Sequence, residues 1–170
     1  YEDVIQLWEA TQVGYTPTFN VAYGGIMGEN YWYQESNVYL NKRLRRFVPP
    51  RTLDARARRP FTASQEDWNH ISVARSAFDL VNRGVRIHAG AHGQREGLGM
   101  HWEMWSMQQG GFSAHQALQA ATLSAAQDLG LDHELGKIQV GYLADLAIVK
   151  GNPLQDLRVS EDVEWTIANG

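Results

Sequence analysis

The stretch that most constrains this chain runs through residues 63–109. Over 63–82, Trp68, Ile71, Ala74, Phe78 and Val81 recur at helical spacing, and Gly84 supplies the stop. Val85-Arg86-Ile87-His88-Ala89 then alternates apolar with polar, as a short strand does. A glycine-rich link, Gly90-Ala91-His92-Gly93-Gln94-Arg95-Glu96-Gly97, leads into a second helix over 98–109. A strand that receives a helix and empties into a helix pairs parallel with its neighbour, which makes the fold class α/β. The link itself has two readings. It is a polar loop, or it is a strand end that hands catalytic groups to the following helix.

The rest of the chain supplies the same alternation. Val4, Ile5, Leu7, Trp8 and Thr11 form one helical face that ends near Gly14. Residues 15–23 are β-branched and aromatic, carry Pro17 early, and close on Gly24-Gly25, which predicts a strand and a turn. Residues 26–62 read as a long excursion with one helix, carried by Leu40, Leu44 and Phe47 and ended by Pro49-Pro50. Ser113 and Gln116 make a capping box that opens a third helix, with Leu118, Ala121, Ala125 and Leu129 on its face and Gly130 at its end. From Leu135 the period shortens. Residues 138–140, 143–149 and 163–167 read as short strands parted by Gly141 and Gly151-Asn152-Pro153.

Composition narrows the function classes. The net charge of −4 and the pI near 5.8 argue against a nucleic-acid footprint, which is basic and clustered. The one basic cluster, Lys42, Arg43, Arg45 and Arg46, reads as a solvated helix face. With no cysteine, disulfides and thiolate metal sites are excluded, and a metal site has to use His, Asp, Glu, carbonyl or water. No apolar run approaches the roughly 18 residues of a membrane span. The chain begins at Tyr1, already entering a helical pattern, and ends on a strand-like run, so it is expected to be a piece of a longer protein.

The run Gln116-Ala117-Leu118-Gln119-Ala120-Ala121-Thr122, then Leu129-Gly130, resembles the last barrel helix of the amidohydrolase superfamily. Leu135-Gly136-Lys137-Ile138-Gln139-Val140-Gly141-Tyr142-Leu143-Ala144-Asp145-Leu146-Ala147-Ile148-Val149, then Asn152-Pro153-Leu154, resembles the hairpin by which that family returns to a small β-sandwich beside its barrel. A narrower likeness rests on Tyr15-Thr16-Pro17-Thr18, Tyr23-Gly24-Gly25, Gly28-Glu29-Asn30-Tyr31, Arg58-Arg59, Gly90-Ala91-His92-Gly93-Gln94 and His101-Trp102-Glu103. These resemble imidazolonepropionase-type enzymes, the branch often fused behind a TolB-like propeller.

The resemblance implies the C-terminal part of a metal-dependent TIM-barrel hydrolase, about two barrel strands with helices, plus strands of the accessory β-sandwich. Residues 1–134 would belong to the barrel and 135–170 to the sandwich. Residues 15–23 and 85–91 would be barrel strands seven and eight, with the first six strands upstream. The implied reaction is hydrolysis of a C–N bond in a cyclic amide, an N-acyl amino acid or a small peptide.

On that reading the link after strand eight is a strand end, and barrel sites form at strand ends. His92 stands where the superfamily usually places an aspartate, in a Gly-x-Asp setting. It is the candidate catalytic residue, as base or as metal ligand. Its departure from aspartate also leaves room for a relative that binds ligand or partner without hydrolysis. Tyr23, Gly24, Gln94, His101 and Glu103 are the candidate substrate-binding residues. His88 is expected in barrel-wall packing, His70, His115 and His133 on the surface, and Asp145 in a structural turn.

The family's divalent metal, zinc by resemblance, takes its main ligands from a His-x-His pair on strand one and histidines on strands five and six. No His-x-His occurs in this sequence, so the piece alone is expected to bind a dication poorly and to lack hydrolase activity. A small-molecule substrate is implied. Further chain or other copies are expected to cover the open strand edges.

Overall fold

The computed structural model describes residues 1–22, 24–57 and 61–170, except for the side chains of Arg56 and Ala57. Its centre is helix α6. Before it come α1 (Glu2–Thr11), α2 (Gly28–Glu35), α3 (Lys42–Phe47), α4 (Pro50–Ala57) and α5 (Asn69–Asn82). Then follow α6 (Gly99–Gly110), α7 (Ala114–Ala120), α8 (Leu123–Asp128), β1 (Leu146–Val149) and β2 (Val163–Ile167).

Helix α6 is buried on most of its circumference. Trp102, Met107, Glu103 and Ser106 are fully buried, and Met104 and Trp105 nearly so. A helix apolar on so many sides needs neighbours all round. On one side it meets α5 so closely that a Cβ added at Gly110 would lie 2.5 Å from the carbonyl carbon of Ala74. On another, the Trp32 indole N–H of α2 donates to Ser106 Oγ at 3.0 Å. On a third, the Trp105 indole N–H donates to the Leu157 carbonyl at 2.9 Å. Leu157 opens a 3-10 turn, Leu157–Glu161, and the Arg158 guanidinium in it stacks 4.6 Å from the Trp32 ring and 4.5 Å from the Trp105 ring.

The helical expectations over 98–109 and the capping box at Ser113 and Gln116 match the structure. The helix expected over 63–82 begins six residues later, at Asn69. Ser64 Oγ donates to Asp67 Oδ2 at 2.7 Å, and residues 65–67 close into a 3-10 turn instead. The helix expected after Ser113 is broken at Thr122, whose hydroxyl donates back to the Leu118 carbonyl at 2.8 Å. Among its described residues the excursion holds three α-helices rather than one. Asn41 Oδ1 caps α3 by accepting the N–H groups of Arg43 and Leu44, and Pro50 opens α4 because a first-turn proline lacks only an N–H that would be orphaned anyway. The basic residues of α3 are exposed around buried Leu44.

Over residues 15–22 and 85–91, where two strands are expected, the structure has one parallel bridge, Tyr15 to Ile87. Tyr15 N–H donates to the Arg86 carbonyl and His88 N–H to the Tyr15 carbonyl, both at 2.9 Å. The ladder stops there for local reasons. Pro17 has no N–H to give, Thr18 takes φ 53°, and Phe19–Val21 curl into a 3-10 turn. The expected strand over 143–149 begins at Leu146, and it pairs antiparallel with β2, Leu146 opposite Ile167. Residues 138–140 form no strand, and Ile138 and Val140 are 91% and 100% exposed.

Candidate active site

The link after the Tyr15–Ile87 bridge is a sequence of tight turns. Ala89 N–H donates to the Ala120 carbonyl of α7, which fixes where the segment ends. His92 then takes φ 52°, the left-handed region that costs a non-glycine residue free energy and concentrates at functional positions. Gln94 N–H donates to the Ala91 carbonyl, closing the turn. Gly99 N–H donates to the Arg95 carbonyl at 2.8 Å and starts α6.

Beside this turn lies a cavity of about 400 Å³, lined by Met27, Glu29, Asn30, Tyr33, Ala55, Phe61 and Gln94. Its wall is held by a buried charge. The Arg95 side chain is fully enclosed. Its Nε donates to the Tyr33 hydroxyl at 2.7 Å, its Nη2 donates to the same oxygen, and its Nη1 reaches Glu96 at 3.4 Å. Tyr33 in turn packs edge-on against Trp102, with ring centroids 5.4 Å apart. An enclosed guanidinium needs acceptors within reach, so the phenol, the turn and α6 are fixed together.

The candidate residues fall in different surroundings. Gln94 lines the cavity. His92 is exposed in the turn and is not among the cavity's lining residues. Gly24, at φ 93°, lies with Gly25 against Asn69 at the start of α5. Tyr23 lies outside the described residues, as do Arg58 and Arg59. His101 turns to the other side of α6, where its Nδ1 lies 3.0 Å from Ser160 Oγ. Burial, helped by the Arg43 charge, holds its pKa below the ordinary histidine value. Glu103 is fully buried and accepts the N–H of Phe19 at 2.8 Å and of Asn20 at 2.6 Å. Burial pushes its pKa up to about 8, against the opposing pull of those two N–H groups.

His88 bridges Thr16 Oγ1 at 3.2 Å and Asp128 Oδ2 at 3.0 Å. Asp145 accepts the N–H of Asn169 across the hairpin ends. His70 is not a surface residue: it is fully buried, its Nε2 lies 2.9 Å from Gln109 Oε1, and desolvation lowers its pKa. Sequence reading missed Tyr33 and Asn20 as site neighbours. Tyr33 sits in an aromatic run without periodicity, and nothing local marks Asn20.

Among the described residues no group of three or more His, Asp or Glu side chains is placed to hold a metal ion. His92 offers one imidazole, so these residues alone do not compose the metal site that the resemblance implies. Among the described residues no helix is long and apolar enough to cross a membrane.

Comparisons with known proteins match this architecture. A Xaa-Pro dipeptidase with methionine bound in its active site superposes with a TM-score of 0.64 at 25% identity, over 98% of this chain and 36% of that one. A prolidase-like structure from Bifidobacterium longum gives 0.51 at 35% identity, over 59% of this chain and 25% of that one. Adenine deaminase 4 of Rhizobium meliloti (strain 1021) is 42% identical over 60 residues, 35% of this chain and 9% of that protein. The chain thus spans little more than a third, or less, of each of these proteins. Its mixed helix and strand fold matches part of the TIM-barrel hydrolase architecture. The Amidohydrolase family model matches residues 34–170, most of the sequence, and the chain belongs to that family.

Proposed function

We propose that this chain is the C-terminal part of a metal-dependent hydrolase that cleaves a C–N bond in a cyclic amide, an N-acyl amino acid or a small peptide. Residues 1–134 then complete a barrel and 135–170 supply strands of the β-sandwich beside it. The observation that carries the reading is the turn at 90–94, which leaves a parallel-paired segment and delivers Gln94 to a polar cavity. Membership of the amidohydrolase family supports the reaction class, and the likeness to a Xaa-Pro dipeptidase supports a small peptide among the substrates. The motif resemblance supports the imidazolonepropionase-type branch and zinc as the metal.

On this reading a bound divalent metal would supply Lewis-acid polarisation of the scissile group and a more acidic water, and His92 is the residue of this chain that would serve as one of its ligands. As a base, His92, in the turn that follows the bridged segment, takes or relays a proton. Gln94 offers both a donor and an acceptor to a substrate amide. The buried Arg95 holds the Tyr33 side of the cavity in place.

The test uses the full-length gene product, with metal analysis and a screen of dipeptides, N-acyl amino acids, cyclic amides and adenine. Bound zinc with turnover, reduced about a hundredfold or more by His92→Ala, supports the proposal. Tight binding of one of these compounds with no turnover favours the second reading, a binding relative, for which the exposed His92 in the aspartate position speaks. Absence of both metal and binding overturns both.

A further inference from the structure

We propose that Glu103 is a positioning residue: its carboxyl fixes the 3-10 turn at Phe19–Val21 and through it seats the first turn of α2 beside the cavity, without touching substrate. The proposal rests on the reading of the cavity beside α2 and of residues 90–94 as the site.

Both carboxyl oxygens of Glu103 are already engaged. Oε2 accepts from Phe19 N–H and Oε1 from Asn20 N–H, and the residue has no exposed surface. A group so enclosed has no face for a substrate. The residue just before the gripped amides, Thr18, takes φ 53°. A β-branched residue holds that conformation only where its surroundings over-determine it, and two bonds to one rigid helix supply that constraint.

The grip spreads in two directions. Asn20 Nδ2 donates to the Gly99 carbonyl at 3.0 Å, and a Cβ added at Gly99 would lie 3.2 Å from that of Ala91. The loop after Phe19 is thereby tied to the turn that carries His92 and Gln94. On the other side, a Cβ added at Gly28 would lie 2.4 Å from the Phe19 carbonyl oxygen. The start of α2 therefore rests on the clamped 3-10 turn, and α2 brings Glu29, Asn30 and Tyr33 to the cavity. One buried carboxyl, 84 residues along the chain from Phe19, fixes both walls.

The experiment compares wild type, Glu103→Gln, Asn20→Ala and the double variant in the full-length gene product. Glutamine keeps the size but turns an N–H₂ toward one of the two donors. Amide exchange at Phe19 and Asn20 is expected to rise about tenfold or more in Glu103→Gln. With the best substrate of the screen, kcat/KM is expected to fall about tenfold or more well below the melting temperature. The double variant is expected to be little worse than Glu103→Gln, because both residues act through one loop. Lost activity with unchanged exchange would overturn the proposal in favour of direct substrate contact. Faster exchange with unchanged kcat/KM, or fully additive losses, would overturn it in favour of a structural role alone. Should Glu103→Gln fail to fold, Asn20→Ala carries the same two readouts. A wild type that turns over nothing defeats the proposed function, while the exchange measurement still decides the clamp.

Discussion

Helix α6 and the β1–β2 hairpin treat their large side chains in opposite ways. Trp102 and Trp105 on α6 are buried, and the Trp105 indole N–H finds an acceptor. Trp165 on β2 is 68% exposed, Ile148 opposite it is 44% exposed, and Ile138 and Val140 upstream are almost bare. The helix finds its partners within the described residues and the hairpin's outer face does not. Stability should therefore be concentrated around α6, while the hairpin is held mainly through the 3-10 turn Leu157–Glu161 and its stacked arginine.

Breaking the helix side should cost most. Trp102→Ala leaves a cavity against Tyr33 and the core, and an unfolding free energy lower by about 3–5 kcal/mol is expected in urea titration. A loss below about 1 kcal/mol would mean that α6 is not the centre of the fold. Gly110→Val forces a side chain into Ala74, and about 1–3 kcal/mol of overpacking is expected in the same titration.

Glu103 gives the comparison a pH dependence. Its folded pKa of about 8 stands above the ordinary 4.5, so the fold binds a proton that the unfolded chain has released. That contribution is complete below about 4.5 and is lost as pH rises through about 8. Melting temperature should thus decline from mildly acidic to mildly alkaline pH, and Glu103→Gln should flatten the decline. An equal slope in both proteins would contradict the burial seen here.

Smaller effects lie further out. Asn41→Ala removes the cap of α3 and should cost about 1 kcal/mol. Trp165→Ser on the hairpin should change the stability of the 170-residue chain by less than about 0.5 kcal/mol, because that side chain is mostly in water already. A larger loss in the full-length product than in this chain would show that further polypeptide covers the face.

What was legible in the sequence was whatever depends on neighbours within a few residues. The period of α5 and α6, the Ser113–Gln116 capping box and the β2 run are such signals. The pairing expected from residue 15 onward ends at one bridge, because Pro17 has no N–H to give and Thr18 turns to φ 53°, which the β-branched and aromatic run does not announce. The excursion was misread because Pro50 opens a helix as readily as its neighbour Pro49 ends one. The candidate site divides along the same line. Gln94 sits in the turn that the glycine spacing announced, beside a cavity. His101 and Glu103 are polar residues on an otherwise buried helix, and their partners, Ser160 and the Phe19–Asn20 amides, leave no trace in the local pattern.

The most direct test of the central claim, that the turn at 90–94 serves the reaction, is kcat/KM of Gln94→Ala in the full-length gene product. Exposed Gln139→Ala on the hairpin side is the reference. The account predicts a loss of about tenfold or more at Gln94 and none at Gln139, with both proteins equally folded. Equal activity in the two variants would contradict it.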